Sequence, residues 1–232
     1  SYSVTRRSDF LGGIPIEEHH IICAYGNPNL TEEEREEAIA KHMALAEAIG
    51  GPGAGELTGY VGKAAIVSDM EDLLTTVDLV GACRMHTKFT GMTLSYPHYA
   101  AALSAGLGRT VTEQDLKDAA GRVRNVERAF ECKMFRRREH DTLPDMQFDM
   151  PITRGALKGK VSVSREGLER MKTDYYALRG WDDATGVPCR EALERYGLAE
   201  VADDLDAVGV LPACAGPAKA TPADASAARV QA

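Results

Sequence analysis

Apolar side chains recur at intervals of three and four residues along most of this sequence, whereas alternation with period two never extends beyond a few residues. This pattern predicts a mainly α fold built from several helices. Thr31, followed by three glutamates, indicates the capped start of a helix that ends near Ile49, before the glycine- and proline-rich residues 50–53. A second helix is predicted over residues 63–85.

The second half of the chain predicts three further helices and an irregular arm. One helix follows Ser95 and another follows Thr112, where Asp115 completes a capping box. Prolines and glycines fragment residues 141–163 into an extended arm with at most short strands, and the last helix ends at Gly180. In the helix after Thr112, one apolar series is expected to form the buried face: Leu116, Ala119, Val123, Val126 and Phe130.

The helices are expected to form one domain over residues 1–211. From residue 212 onward the chain consists mostly of Ala, Pro, Ser and Gly and has almost no large apolar side chains. Such a composition buries too little apolar surface to fold. Residues 212–232 are therefore predicted to be a disordered tail.

Composition and charge narrow the classes of function. Of the 232 residues, 44% are hydrophobic, which suffices for a continuous core. Charges or glycines interrupt every apolar run before it reaches the roughly 18 residues that a membrane span needs. The net charge is −8, and an acidic surface repels the phosphates of nucleic acids. We therefore expect neither a membrane span nor a nucleic-acid partner.

Cysteines and histidines give no motif by themselves. The histidines have no zinc-binding spacing, and the sequence lacks GxSxG and the glycine motifs of nucleotide-binding loops. Five cysteines are scattered without a CxxC pair, which does not indicate a disulfide framework and favours a reducing, cytoplasmic compartment. They are Cys23, Cys83, Cys132, Cys189 and Cys214.

Longer strings are more specific. ERAF at residues 127–130 leads through a basic stretch to DTLP at 141–144, and YYALRGWD at 175–182 precedes GVP at 186–188. Upstream, the predicted second helix runs into DLVGAC at 78–83. In this order the strings resemble the C-terminal domain of the aldehyde ferredoxin oxidoreductase family of tungsten-pterin enzymes. The resemblance covers roughly residues 1–198.

The resemblance implies a cofactor site at the end of the second helix. Cys83 aligns with one of four cysteine ligands of a 4Fe–4S cluster, and the other three belong to a CxxCxxxC motif that this chain lacks. A thiolate is the ligand that such clusters prefer. Asp78 and Ala82 align with pterin-binding positions, Asp78 through its carboxylate and Ala82 through a backbone group. Gly81 would let the backbone approach a large cofactor closely.

The sequence departs from the family pattern at four positions. Phe10 stands where aldehyde-oxidising members carry a His, and a phenyl ring cannot transfer the proton that the His is thought to transfer at the tungsten. This favours a relative that acts on aromatic acyl-CoA. Cys189 replaces a helix-capping Thr and is expected to cap poorly. Glu131 replaces an Asn and Phe135 replaces a Gly, and both are expected to alter surface packing.

The remaining residues of the strings are predicted to be structural. Tyr175, Tyr176 and Trp181 are expected to be core and rim aromatics without a catalytic role. The three arginines at 136–138 are expected to pair with nearby acids on a solvated face.

The sequence thus predicts the C-terminal portion of a tungsten-pterin, iron–sulfur oxidoreductase that oxidises aldehydes or reduces carboxyl-level substrates. Its implied cofactors are a tungsten-bispterin of the molybdopterin type and a 4Fe–4S cluster that passes electrons to ferredoxin or an iron–sulfur subunit. The chain alone is expected to be inactive, because N-terminal domains of the same polypeptide or a partner subunit would complete the site. The alternatives are a subunit or domain of an aromatic acyl-CoA reductase of the same family, and a non-catalytic helical assembly module.

Overall fold

The mainly α architecture is confirmed by a computed structural model, which describes residues 31–56, 59–83, 94–153, 159–161 and 163–214. Within these residues the regular structure is helical, and the β-type pairing consists of two isolated bridges, Pro151 with Val161 and Trp181 with Pro188. In chain order the helices are α1 (Glu32–Gly50), α2 (Lys63–Leu79), α3 (Tyr96–Leu107), α4 (Glu113–Lys133), α5 (Met146–Asp149), α6 (Arg165–Arg179), α7 (Arg190–Arg195) and α8 (Ala199–Ala207), with a 3-10 turn at Arg138–His140.

The predicted helix starts are confirmed, because each depends on local hydrogen bonds. At α1 the Thr31 hydroxyl accepts from the Glu34 amide at 3.2 Å, and the Glu34 carboxylate accepts from the Thr31 amide at 2.8 Å. Thr112 and Asp115 form the same box at α4, with distances of 3.1 and 2.8 Å. The helix after Ser95 begins at Tyr96 as expected, and α6 ends at Gly180 with φ +71°.

The second helix is shorter than predicted. It ends at Leu79, because Gly81 adopts φ +69° and turns the chain out of the helix. The predicted end near residue 85 is therefore wrong by about six residues, and residues 84–93 lie outside the described part of the chain. Phe10, Cys23 and the tail beyond Cys214 also lie outside it, so the predictions for Phe10 and the tail remain predictions.

The predicted buried face of α4 is confirmed at Leu116 but is wrong toward the end of the helix. Val126 is 41% exposed and Phe130 is 65% exposed, whereas two arginines and an asparagine lie buried on the opposite side. The arginines and the asparagine can be buried because they have polar partners on α2, α6 and the arm. The spacing of apolar residues along the sequence gives no information about such partners. The residues that α4 buries are Leu116, Ala120, Gly121, Arg124, Asn125, Arg128, Ala129 and Cys132.

Helix α2 is the centre of the fold and packs against α1, α4 and α6. One apolar cluster joins α2 to α3 and the start of α4 through residues such as Leu74, Val77, Tyr99 and Leu116. A second joins α2 to α6 and Trp181. The close approach of the loop before α2 to α6 requires a glycine, because a Cβ on Gly167 would lie 2.2 Å from the Tyr60 ring.

The last cluster joins the C-terminal half of α4 to α7 and α8. Leu211 packs against this cluster, and this contact brings the chain back to the start of α7. There Cys214 forms a disulfide with Cys189. The expectation of unpaired cysteines is wrong at these two positions, because the tertiary fold places their Cα atoms 5.9 Å apart. Cys189 does precede α7 without a side-chain cap, as predicted. Among the described cysteines, Cys83 and Cys132 are free.

Within the described helices, none combines the length and apolar character that crossing a bilayer demands.

Candidate functional site

The turn that ends α2 is held in one conformation by its own backbone. The Gly81 amide donates to the Asp78 carbonyl at 3.1 Å, and the Ala82 amide donates to the Val77 carbonyl at 3.0 Å. These two bonds around a glycine of positive φ form a Schellman cap. We call residues 78–83 the cap turn. Its geometry places Cys83 one residue beyond the last capping bond.

The cap turn presents its chemical groups to the outside. Asp78, Leu79, Gly81 and Cys83 are all exposed. A Cβ built on Gly81 meets nothing within 4 Å, so the space beside it is open. The glycine is thus required by its positive φ and not by close packing within the chain. Partial burial and the negative charge of Glu127 raise the pKa of Asp78 above its ordinary value.

The capping bonds decide which backbone group Ala82 can offer to a ligand. Its amide is already used by the cap, so the group available for a new hydrogen bond is the carbonyl oxygen. Together with the Asp78 carboxylate, the turn therefore offers hydrogen-bond acceptors. These groups fit a ligand that carries N–H donors, as a pterin ring does.

Cys83 is the only cysteine of the cap turn, and the described residues contain no group of three or more His, Cys, Asp or Glu side chains placed to hold a metal ion. A 4Fe–4S cluster takes four thiolate ligands. Cys23 is the one cysteine of this sequence outside the described residues, so if Cys83 is a ligand, at least two of the other three come from outside the 232-residue sequence.

One buried tyrosine lies close behind the cap turn. Tyr99 on α3 is 7% exposed and belongs to the apolar cluster against which Val80 and Ala82 pack. Its hydroxyl has no hydrogen-bond partner among the described residues. Burial raises the pKa of Tyr99, and the negative charge of the Cys83 thiolate raises it further. The tyrosine is therefore within electrostatic reach of Cys83.

The body of α2 is joined to α4 and α6 by buried ion pairs. Glu71 is 1% exposed and accepts from Arg124 of α4 at 3.3 Å and from Arg179 of α6 at 3.2 Å. Arg179 also donates to Asp72 at 2.7 Å, and the Tyr175 hydroxyl donates to Glu71. Burial raises the pKa of Tyr175 to about 12, so the phenol keeps its proton and acts as a donor.

A second buried network joins α4 to the arm and to the end of α6. Asp141 accepts from Arg136 at 2.7 Å, from Arg128 at 3.2 Å, and from the Tyr176 hydroxyl. Although burial favours the neutral acid, these donors hold the pKa of Asp141 below its ordinary value. Arg128 further donates to the Gly186 carbonyl at 2.8 Å.

The two networks meet at Trp181, whose indole N–H donates to Asn125 at 2.9 Å. The Arg128 guanidinium lies 4.9 Å from the centre of the Trp181 ring. We call the combined set the polar clamp. Its members are Glu71, Asp72, Arg124, Asn125, Arg128, Arg136, Asp141, Tyr175, Tyr176, Arg179 and Trp181.

The polar clamp contains most of the strings singled out in the sequence. ERAF contributes Arg128, DTLP contributes Asp141, and YYALRGWD contributes both tyrosines, Arg179 and the tryptophan. Both tyrosines and the tryptophan are buried, as expected of core aromatics. The prediction for arginines 136–138 is confirmed in part, since Arg136 pairs with Asp141 and Arg138 with Glu169 and Asp183.

Sequence reasoning missed the α2 and α4 members of the polar clamp. Glu71 and Asp72 are adjacent acids in an otherwise apolar helix, and Arg124 and Arg128 lie one turn apart. An acid pair inside an apolar stripe is the signal that could have indicated a buried ion-pair partner. Tyr99 had no comparable signal, since nothing in its local sequence marks a hydroxyl without a partner.

A separate cleft of about 400 Å³ lies at the other face of α4. It is lined by Asp118, Ala119, Arg122, Arg195 and Tyr196. Arg122 donates to the carbonyls of Tyr196 and Gly197 and so fastens α4 to the end of α7. None of the lining residues belongs to the cap turn or the polar clamp.

The chain is similar to known proteins. Residues 28–198 match the family model described as aldehyde ferredoxin oxidoreductase, domains 2 and 3. The chain is 34% identical over 131 residues to a tungsten-containing aldehyde ferredoxin oxidoreductase of Pyrococcus furiosus, covering 56% of this chain and 20% of that protein. A protein of the same name from Pyrococcus abyssi is 33% identical over 139 residues, covering 60% and 21%.

A solved structure shares the fold. It is the active-site complex BamBC of benzoyl coenzyme A reductase with 1,5-dienoyl-CoA, with a TM-score of 0.55 and 27% identity over 66% of this chain and 21% of the other. The chain thus spans about a fifth of the length of these relatives.

Proposed function

The chain belongs to the aldehyde ferredoxin oxidoreductase family, and we propose from this that it forms the C-terminal part of a tungsten-pterin, iron–sulfur oxidoreductase. The observation that carries the proposal is the cap turn. An exposed thiol, an exposed carboxylate and the half-buried Ala82 lie within six residues, at the end of a helix that the polar clamp fixes in place.

In this proposal each residue of the cap turn has one role. Cys83 supplies one thiolate ligand of a 4Fe–4S cluster, and Asp78 and the Ala82 carbonyl accept hydrogen bonds from pterin N–H groups. When bound, the tungsten-pterin supplies two-electron chemistry and the cluster supplies single-electron transfer. The polar clamp orients the turn toward both groups without contacting either.

The proposed reaction is the oxidation of aldehydes or the reduction of carboxyl-level substrates. The relatives from two Pyrococcus species, both called tungsten-containing aldehyde ferredoxin oxidoreductases, support it. We further propose ferredoxin or an iron–sulfur subunit as electron partner, cytoplasmic localisation, and completion of the site by N-terminal domains or by a partner subunit. The chain alone is proposed to be inactive.

A second candidate is a subunit or domain of an aromatic acyl-CoA reductase. The likeness to the benzoyl coenzyme A reductase complex favours it, as does the expectation from the resemblance that Phe10 stands in place of a proton-transferring His. A substrate panel on the intact enzyme separates the candidates. Fast turnover of acetaldehyde or benzaldehyde favours the first, and turnover of aromatic acyl thioesters favours the second.

The proposal is tested by Cys83→Ser in the intact enzyme that contains this chain. Serine is a harder and less acidic ligand than cysteine, so the cluster should be lost or altered. Electron paramagnetic resonance of the reduced enzyme measures this, and Cys132→Ser serves as a control because Cys132 is buried away from the cap turn. An unchanged signal in Cys83→Ser would mean that Cys83 does not ligate the cluster. The absence of any iron–sulfur chromophore in the intact enzyme would leave a non-catalytic helical module as the function.

A further inference from the structure

The disulfide between Cys189 and Cys214 has one end in a firmly held part of the chain. The Cys189 amide donates to the Gly180 carbonyl at 3.1 Å. The residue before it, Pro188, is buried and forms an isolated bridge with Trp181 of the polar clamp. The backbone at Cys189 is therefore fixed at the edge of the polar clamp.

The other end of the disulfide lies in the segment that follows α8. We call residues 208–214 the strap, and the apolar cluster of α4, α7 and α8 the C-terminal cluster. Val210 and Leu211 are half-buried against this cluster, and their amides donate to the Leu205 carbonyl at 2.9 and 3.3 Å. Segments held by few buried contacts open at a low free energy. The covalent bond at Cys214 is therefore the strongest link of the strap.

The disulfide is placed where a reductant can reach it. Cys189 and Cys214 are both half-buried, whereas the free Cys132 of the same region is 0% exposed. Thiol–disulfide exchange requires access of the attacking thiolate to a sulfur of the bond. In a cytoplasmic protein a disulfide is either a permanent stabiliser or a bond that opens and closes with the redox state. The partial exposure of both cysteines favours the second role.

We propose that the Cys189–Cys214 disulfide is a redox-sensitive bond that holds the strap on the C-terminal cluster and releases it on reduction. The inference goes beyond the proposed function and takes from it only the cytoplasmic localisation. Because Cys189 is fixed by the backbone around it, the strap is the part that moves when the bond opens. Its release uncovers the part of the C-terminal cluster that Val210 and Leu211 cover.

The reductant in this proposal is a dithiol. One of its thiolates attacks a sulfur of the bond, which forms a mixed disulfide and releases the other cysteine as a thiolate that takes up a proton. The second thiol of the reductant then displaces the remaining cysteine. In sum two electrons and two protons pass from the dithiol to the protein, so that the reductant leaves as a disulfide and both cysteines become thiols.

The first measurement asks whether the bond forms and is accessible in the folded protein. It uses the intact enzyme that contains this chain, purified without reductant and treated with an alkylating agent. Trypsin should then yield residues 180–190 linked to residues 196–219, detected by mass spectrometry. Incubation of the native enzyme with dithiothreitol before alkylation should remove the linked pair and leave both cysteines alkylated. A linked pair that is never found, or that persists in excess dithiothreitol, would overturn the inference.

The second measurement asks whether the bond holds the strap. Hydrogen–deuterium exchange of peptides that contain Val210 and Leu211 should become about tenfold faster or more on reduction, because a cross-link that restricts the open state is lost. Peptides from α2 should not change. Equal exchange in the oxidised and reduced enzyme would mean that packing alone holds the strap, and the inference would fail.

Two variants make the exchange measurement specific. Cys214→Ala should exchange rapidly at the strap with or without dithiothreitol, because it cannot form the bond. Cys132→Ala is the matched control: it removes a thiol from the same C-terminal cluster and should keep the response to the reductant. Loss of the response in both variants would contradict the inference. Neither measurement involves the iron–sulfur cluster, so Cys83→Ser tests the proposed function independently.

Discussion

The polar clamp and the cap turn are both polar regions attached to helix α2, yet they are built in opposite ways. In the polar clamp, each charged group is matched: Glu71 has two arginines and a phenol, and Asp141 has two arginines and a phenol. In the cap turn, Asp78 and the Cys83 thiol are exposed, and the space beside Gly81 is open. The first arrangement buries its groups inside the chain, whereas the second presents its groups at the surface.

This difference separates the residues that identify the family from those that bear its chemistry. Most of the recognisable strings fold into the polar clamp, where buried charges tolerate few substitutions because an unmatched charge is costly. The residues proposed to contact cofactors are confined to a six-residue turn. A match to the strings is therefore evidence for the fold first, and for chemistry only through the cap turn.

The largest expected effect tests whether the polar clamp acts as a matched unit. Arg179→Met keeps most of the side-chain volume but leaves Asp72 and part of Glu71 without a counter-charge. Removal of one partner from a buried pair typically costs about 3 to 5 kcal/mol. We expect a loss of this size in the free energy of unfolding of the chain, measured by urea denaturation.

Arg190→Met is the matched control for Arg179→Met. Arg190 also contacts several acids, Asp203 at 2.8 Å among them, but the partners are exposed. Exposed ion pairs contribute about 0 to 1 kcal/mol. Equal losses in the two variants would contradict the distinction between buried and surface pairs.

The next effect concerns the opposite pKa shifts of two carboxyl groups in the polar clamp. Burial raises the pKa of Asp72 from 3.8 to about 6, despite the counter-charge of Arg179, so the folded chain binds this proton more tightly than the unfolded chain. Stability from Asp72 is therefore greatest below about pH 4 and falls as the pH rises to about 6. Relative to Asp72→Asn, the wild-type chain should lose about 2 to 3 kcal/mol across this window.

Asp141 provides the comparison for the Asp72 profile. Its pKa is lowered in the fold, so its contribution is present above the ordinary carboxyl pKa and is lost as the pH falls through the folded value. Urea denaturation of both Asn variants from pH 2.5 to pH 7 would resolve the two signs. Parallel profiles would show that the two networks do not differ as described.

The sequence predicted the local features of the fold more reliably than its packing. Helix starts at Thr31 and Thr112 and the stop at Gly180 depend on neighbours three or four residues away, which a sequence displays directly. The buried face of α4 depends on partners 13 to 58 residues away. Because Arg124 and Arg128 are charged, periodicity assigned them to the surface and assigned Phe130 to the core.

The same limit applies to the candidate site. Asp78, Ala82 and Cys83 were predicted because the motif DLVGAC is contiguous, and the structure adds that the Ala82 amide is already used by the cap. The helix end was misplaced because Gly81 was interpreted as a residue that lets a cofactor approach the backbone. In the structure its positive φ caps the helix. Tyr99 and the Cys189–Cys214 disulfide could not be predicted, since both depend on contacts made by the folded chain.

A smaller effect lies at the edge of the polar clamp. Phe135 has φ +73°, is 81% exposed, and connects α4 to Arg136 of the clamp. A left-handed conformation costs a non-glycine residue about 1 to 2 kcal/mol. A glycine avoids this cost, but it also makes the unfolded chain more flexible, which offsets part of the gain. Phe135→Gly should therefore raise the free energy of unfolding by about 0.5 to 1 kcal/mol.

Met134→Gly is the control for Phe135→Gly. Met134 is a similarly exposed neighbour, but its φ is −89°, so a glycine there relieves no strain and adds only flexibility. It should destabilise the chain slightly by the same denaturation measurement. If both glycine variants stabilise the chain, the strain at Phe135 is not the cause.

The smallest expected effect lies in the cap turn itself. Cys83 is exposed, and its thiol follows the last capping bond, so Cys83→Ala in the 232-residue chain removes no buried contact. The free energy of unfolding should change by less than about 0.5 kcal/mol.

Cys132→Ala is the matched thiol deletion inside the fold, where the side chain is fully buried beside Leu193 and Val187, and it should cost about 1 kcal/mol or more. A large loss for Cys83→Ala would mean that the thiol already has a structural partner within the chain. The cap turn would then be closed like the polar clamp, and the case for a ligand at Cys83 would lose its physical basis.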